Sequence, residues 1–235
     1  MTVHGARPTA ARPTTGRTTT RRASARWVPV ALVVLSVIPV VTGTMRLVEV
    51  LGGPHLMPAN PRMVASPLPV VVHIASVVPF ALAGAFQFSA RLRRERPGWH
   101  RGAGRVLVGL GLAAALSGLW MTLIYARQPG TGEALFAFRI AAASGLGACL
   151  VLGFAAIRRG DVARHRAWLI RAYALALGAG TQVVTGAFRG AFLGTGVLAG
   201  DLSMGAAWAI NLAVAEVAIR RGRRPARRRL ATASA

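Results

Sequence analysis

Between residues 91 and 105 the chain reads Arg-Leu-Arg-Arg-Glu-Arg-Pro-Gly-Trp-His-Arg-Gly-Ala-Gly-Arg, a basic stretch set between two long apolar runs. A soluble core cannot hide both runs and leave such a connection between them. A bilayer can, because a spanning helix satisfies its own backbone and leaves only the connection in water. The pattern returns at residues 158–171, Arg-Arg-Gly-Asp-Val-Ala-Arg-His-Arg-Ala-Trp-Leu-Ile-Arg. Each stretch carries a His-Arg pair just before the next apolar run, His100-Arg101 and His165-Arg166.

Composition agrees with a membrane protein. Of 235 residues 54% are hydrophobic, and the mean hydropathy is +0.49. The net charge of +23 comes from arginine alone, since the chain has no lysine. The arginines lie in blocks beside apolar runs, which suits anionic lipid headgroups and gives no reason to expect nucleic acid. The single cysteine, Cys149, falls inside an apolar run, so neither an intrachain disulfide nor a thiolate metal cluster is open to the chain. We read it as a small buried apolar residue.

Residues 1–26 lack hydrophobic periodicity and read as a disordered basic tail. Six apolar runs follow: Trp27 to about Met45, 69–88, 106–125, 134–157, 167–188 and 197–219. Each is about the twenty residues needed to cross a hydrocarbon core of roughly 30 Å. Residues 220–235 form a second basic tail, too charged to pack. The fold expected is therefore an all-α bundle of six transmembrane helices over residues 27–219, between disordered tails. Of the 29 arginines, 24 fall in the two tails and the two His-Arg stretches, leaving Arg46, Arg62, Arg127, Arg139 and Arg189 on the other side. The positive-inside rule then expects a multi-pass protein of the cytoplasmic membrane with both termini inside. The two Arg-rich hairpins are also compatible with a parallel internal repeat, although the charge rule alone would make them alike.

Depth sorts the polar residues of the spans into two layers. Toward the outer face lie His73, Arg139 and Asp201. Toward the inner face lie His100, His165, Arg171 and Glu216, with Gln87 and Asn211 as the remaining amides. Ionisable groups at such depths pair or line a cavity. Arg171 and Glu216, at matching depth on consecutive helices, are expected to form an ion pair as readily as Arg171 is to snorkel while Glu216 pairs with Arg220. Arg139 with Asp201 is a weaker pair, and Arg139 reaching the outer interface is the alternative favoured. His73 and Gln87, fourteen residues apart, share a face of their helix. That stripe suits either a polar path or an ordinary interhelical hydrogen-bonding face.

The sharpest reading concerns the inner histidines. Two imidazoles on neighbouring helices can hold a b-type haem axially, with Arg101, Arg105, Arg166 and Arg171 toward its propionates. The competing reading makes His100 and His165 interfacial residues that meet lipid phosphate or cap helix ends. A second haem would lack ligands, since only His73 lies within a span near the outer face. Motifs of soluble enzymes are absent: no phosphate loop, no nucleophile elbow, and six scattered acidic residues.

Taken together, His73, Gln87-Phe88, Arg96-Pro97, His100-Arg101 and Gly104-Arg105 resemble a bacterial family of predicted membrane proteins catalogued as domain of unknown function 2306. The second half of the resemblance falls on His165-Arg166, Trp168, Arg171, Asn211-Leu212 and Ala215-Glu216, covering about residues 70–220. The chain departs from the family at Leu107, where tyrosine is frequent, and at Leu169, where methionine is usual. The resemblance implies the architecture and the choice of residues but names no reaction. Three functions are carried forward: a haem-binding or quinone-linked redox module at His100 and His165, a small-solute or proton permease using the His73–Gln87 stripe, and a non-catalytic membrane scaffold.

Overall fold

The computed structural model describes the backbone of residues 19–192 and 194–231 and the side chains of residues 27–192 and 194–222. Nine helices and no strand occur among the described residues: α1 Thr19–Val50, α2 Pro61–Ala65, α3 Pro67–Gln87, α4 Ala90–Glu95, α5 Pro97–Ile124, α6 Glu133–Arg158, α7 Val162–Ala176, α8 Gly178–Phe192 and α9 Val197–Ala231. Five apolar helices are long enough to cross a bilayer, and the bent pair α7–α8 makes a sixth crossing. This is a polytopic helical membrane protein. Helices adjacent in sequence pack together as α3 with α5, α5 with α6, α6 with α7 and α8 with α9, while α1 closes against α3 and α8. The outward faces are apolar. On α1, Val30, Val34, Ile38 and Val41 are 49%, 65%, 53% and 51% exposed and recur at helical spacing, the stripe a lipid-facing helix requires. The packed centre gathers Phe80, Leu107, Leu150, Ala172 and Tyr173, and the Tyr173 hydroxyl donates to the Ala81 carbonyl at 2.5 Å.

Helix extends beyond the boundaries expected from sequence. The basic N-terminal segment is helical from Thr19 and the C-terminal one to Ala231, while residues 1–18 and 232–235 lie outside the described residues. The Arg91–Arg105 stretch, expected as a wet loop, is the short helix α4 followed by the opening turns of α5. Local chemistry explains it. The Ser89 hydroxyl caps α4 by accepting from the Leu92 N–H at 3.2 Å, Pro97 occupies the first turn of α5, and arginine is a good helix former. The second basic stretch follows suit: Gly160 turns the chain at φ +77°, and Asp161 caps α7 through the Arg164 N–H at 2.9 Å.

The fifth crossing departs most from expectation. It is not one continuous helix over 167–188 but two, α7 and α8, bent by 47° around Leu177. Gly178 and Gly180, poor helix formers, follow the bend. Gly180 is needed for packing as well, because a Cβ there would overlap the Leu35 carbonyl of α1. Carbonyls just before the bend take partners from α9. Asn211 Nδ2 donates to Ala174 O at 3.1 Å, and Trp208 Nε1 donates to Leu175 O at 3.2 Å. Asn211 Oδ1 also accepts from the Thr181 hydroxyl at 2.8 Å, so one amide ties both half-helices together.

A turn closer to the termini, Arg171 of α7 and Glu216 of α9 meet through Nε and Oε1 at 2.5 Å, and the Arg171 guanidinium lies over the Trp168 ring, 4.8 Å from its centroid. The interhelical pair is therefore formed. The side chains are 24% and 36% exposed, so the pair sits between the fully buried and surface regimes. A charge-assisted hydrogen bond is worth about 1.5–3 kcal/mol. Arg171→Leu and Glu216→Leu should each destabilise the detergent-solubilised protein by about that amount, and the double variant should lose less than the sum. Thermal unfolding of the four proteins measures the coupling, and strictly additive losses would show that the pair contributes none.

Candidate functional site

Six crossings built from small residues do not close completely. On the side of the α1–α3, α5–α6 and α8–α9 connections, opposite the chain termini, a cavity of about 570 Å³ opens between α1, α3, α5, α6 and α8. Its apolar wall includes Ile74, Ala114, Ala143 and Leu146, and Trp208 of α9 reaches it from beside the bend in the fifth crossing. Its polar lining is short: Ser36, Thr42, Thr122, His73, Arg139 and Gln182 within the helices, with Arg46, Asn60, Arg62, Tyr125 and Gln128 toward the connections. The volume falls in the range of roughly 300–1,000 Å³ typical of small-molecule sites.

The polar residues of this layer differ in how far the protein itself uses them. His73 Nδ1 lies 3.0 Å from the Ala114 carbonyl and 3.2 Å from the Ser117 hydroxyl. The Ser117 hydroxyl donates to Ala113 O at 2.6 Å. A carbonyl only accepts, so Nδ1 carries the proton, and Nε2 is left as an acceptor. Asp201, 2% exposed, is fully used. Its carboxylate accepts from the Gly132 N–H at 3.1 Å and the Leu135 N–H at 3.1 Å, and so caps the N-terminus of α6 from α9. Gly132 is required by that approach, since a Cβ would lie 2.6 Å from Asp201 Oδ2.

The less favoured Arg139–Asp201 pairing is not formed: no ion pair joins them among the described residues, because the carboxylate is held by backbone amides. Arg139 feels both Asp201 and Arg62 electrostatically, yet it makes no hydrogen bond to a described residue. Arg62 is held by neutral oxygens, with Nε to Asn60 Oδ1 at 3.1 Å and Nη1 to Ala126 O at 3.1 Å. It also lies over the Tyr125 ring, 5.9 Å from the centroid. Tyr125 donates to Ser66 O at 2.6 Å, and burial pushes its phenol up, so it stays a donor.

Sequence reasoning passed over Glu49. It is 7% exposed and takes Arg46 Nη1 at 2.7 Å and His55 Nδ1 at 3.1 Å. Arg46 Nη2 also reaches Pro58 O at 2.9 Å, fastening the connection above the cavity. A signal was available, since Glu49 is the sole acidic residue before Glu95 and stands one turn from Arg46. Arg62, Tyr125 and Trp208 were likewise not singled out for the site they border.

The inner layer is built differently. His165 Nδ1 donates to the Gly153 carbonyl at 2.9 Å, clamping α7 to α6 and leaving Nε2 bare. His100 opens α5 and lies within the electrostatic reach of His165, Arg93 and Arg101. Arg101, Arg105 and Arg166 are exposed, and Arg166 lies against Gly222 of α9. Gln87 points toward Gly104 of α5, and its Nε2 is buried without a hydrogen-bond partner. Between His73 and Gln87 the packed centre contains Phe80, Ala85 and Leu107, so the stripe is apolar in its middle. No group of three or more His, Cys, Asp or Glu side chains suited to a metal ion occurs among the described residues. Cys149 is buried, as expected.

The family described as Predicted membrane protein (DUF2306) matches residues 70–219, which takes in α4, α5, α6, α7 and α8 with most of α3 and of α9. His73, Arg139 and Trp208 lie inside the matched stretch, while the α1 wall and the Arg46–Glu49 fastening lie before it. No curated protein and no solved structure matches the chain. The match spans more than half of the sequence and carries both polar layers, and on that footing the chain belongs to the DUF2306 family of predicted membrane proteins.

Proposed function

We propose that this membrane protein binds a small amphipathic molecule in the cavity bounded by His73, Arg139 and Trp208. The observation that carries the reading is the cavity itself: about 570 Å³, apolar along its walls, with a few polar groups toward one end. Apolar surface supplies affinity, and a few fixed polar groups supply orientation. A pure scaffold has no need of an arginine left without a hydrogen-bond partner among the described residues. A permeation path would need polar groups through the packed centre, where Phe80 and Leu107 stand. The test uses the neutral fluorophore N-phenyl-1-naphthylamine with purified protein in detergent, against a micelle blank. Wild type should bind it saturably. Ala143→Phe should lower affinity at least several-fold, while Val151→Phe, on the lipid face, should not. Equal binding by both variants would sink the cavity reading.

The arginine distribution supports placing both termini in the cytoplasm of a cell membrane, in which case the cavity opens on the outer side. Reporter fusions after Arg127 and Arg189 should then read outside and a fusion after Ile219 inside. An outside reading for the last would reverse the placement.

A second reading, axial haem ligation by His100 and His165, has one observation in its favour. His165 donates Nδ1–H to a carbonyl, which is the arrangement that orients an imidazole to ligate through Nε2. The cavity lies at the other end of the bundle, so this reading ranks second. Protein from haem-replete cells should show a Soret band that His165→Ala removes; a colourless wild type would dispose of it.

A further inference from the structure

The cavity carries a charge imbalance that points to the class of molecule it takes. Three guanidinium groups border it: Arg46, Arg62 and Arg139. Arg46 is met by Glu49 at 2.7 Å. Among the described residues Arg62 is met by the Asn60 side-chain oxygen and the Ala126 carbonyl, with the Tyr125 ring beneath it. Arg139 has no hydrogen-bond partner among the described residues. The acid nearest in effect, Asp201, has its carboxylate engaged by the Gly132 and Leu135 amides. Two positive side chains therefore face one chamber with no carboxylate hydrogen-bonded to either. Arg139 is the seventh residue of α6, half-buried and less than two turns from the outer end of that crossing, and an arginine within a crossing is costly unless it pairs or lines a cavity. Five donors in a rigid planar fork are suited to a carboxylate or a phosphate oxygen pair.

We infer that the molecule held in the cavity is an anionic amphiphile, whose carboxylate or phosphate head is bound by Arg139 with Arg62 beside it and whose apolar body lies along α3, α5 and α6. This rests on the cavity reading above and narrows it to one ligand class. Charge selects the head, because neither guanidinium can be satisfied by an apolar group. The walls select the body, because beyond His73 the chamber is lined by Ile74, Ala114, Ala143 and Leu146. Head and body are both required, which separates the site from a simple anion site.

The experiment is isothermal titration of the full-length protein in a non-ionic detergent with decanoate, decanol, acetate and inorganic phosphate, each against a micelle blank. Decanoate should bind roughly 10- to 100-fold more tightly than decanol, the gain expected from a charge-assisted hydrogen bond. Acetate and phosphate should bind far more weakly than decanoate. Arg139→Gln should remove most of the preference for the acid, lowering decanoate affinity far more than decanol affinity, and its circular dichroism and thermal transition show that the variant is folded. Arg139→Lys should keep part of the preference, and Arg62→Gln should lower it less than Arg139→Gln. Equal affinity for decanoate and decanol would overturn the anionic inference and leave the cavity reading standing. Acetate or phosphate binding as tightly as decanoate would overturn the amphiphile. Failure of decanol and decanoate alike would remove the cavity reading and this inference together.

Discussion

The structure depends throughout on the lack of water in the bilayer interior, where every backbone N–H and C=O must find a partner within the protein. Unbroken helices meet the condition by themselves. Wherever a helix stops or bends at depth, some other element has to supply the missing partner, and here α9 does so repeatedly. Asp201 receives the first amides of α6. Trp208 and Asn211 donate to carbonyls beside the bend between α7 and α8. With those partners in place a bent crossing becomes tolerable, and the bend brings Leu177, Ala179 and Gly180 to the cavity wall.

Acid is the scarce resource of this chain, with six Asp and Glu against 29 arginines, and where each acid goes decides which arginines stay uncompensated. Glu95 and Glu133 serve Arg91 and Arg127 at the bundle ends. Asp161 caps α7, and Glu216 holds Arg171. Glu49 takes Arg46 and Asp201 takes amides, so no carboxylate is hydrogen-bonded to Arg62 or Arg139, and Asp201 acts on Arg139 only through space. The positive character of the chamber thus follows from the whole chain's distribution of acids. The basic ends of the bundle have an independent cause, since arginines there lie at the headgroup level and orient the chain.

Much of this was legible in the residues. Twenty-residue apolar runs separated by arginine blocks dictate six crossings, and they are present with the fifth bent. The equal depth of Arg171 and Glu216 put a contact on a par with snorkelling, and the contact formed; depth is a one-dimensional quantity that hydropathy reports well. The Arg139–Asp201 pair, the less favoured of the two readings, did not form for a complementary reason. Depth brought the two to one level, but which partner Asp201 takes depends on where the α6 N-terminus lies around the bundle, and azimuth is not encoded in an apolar run. The bend was obscure because Gly178-Ala179-Gly180 interrupts neither hydropathy nor length. His73 and Gln87 share a helix face by spacing alone, but the apolar filling between them, from Phe80 and Ala85 of α3 and Leu107 of α5, depends on packing. The cavity itself had no signature, since a void arises from what alanine and glycine leave unfilled.

One helix connects these points. On α9, residues 201, 208, 211 and 216 fall within an arc of roughly 140° at 3.6 residues per turn, and each polar side chain on that arc serves a different need. Asp201 takes the N-terminus of α6, Trp208 and Asn211 take carbonyls at the bend, and Glu216 takes the arginine of α7. The same helix thereby fixes the chamber without giving its arginines a hydrogen-bonded carboxylate. Its one acid at the level of the cavity is consumed by the α6 amides, and its tryptophan turns the indole N–H to the Leu175 carbonyl while also bordering the void. If Asp201 were instead directed at Arg139, the first amides of α6 would lose their cap and the chamber would lose its unpaired cation. The cap on α6 and the positive charge of the cavity are therefore two results of the same carboxylate position.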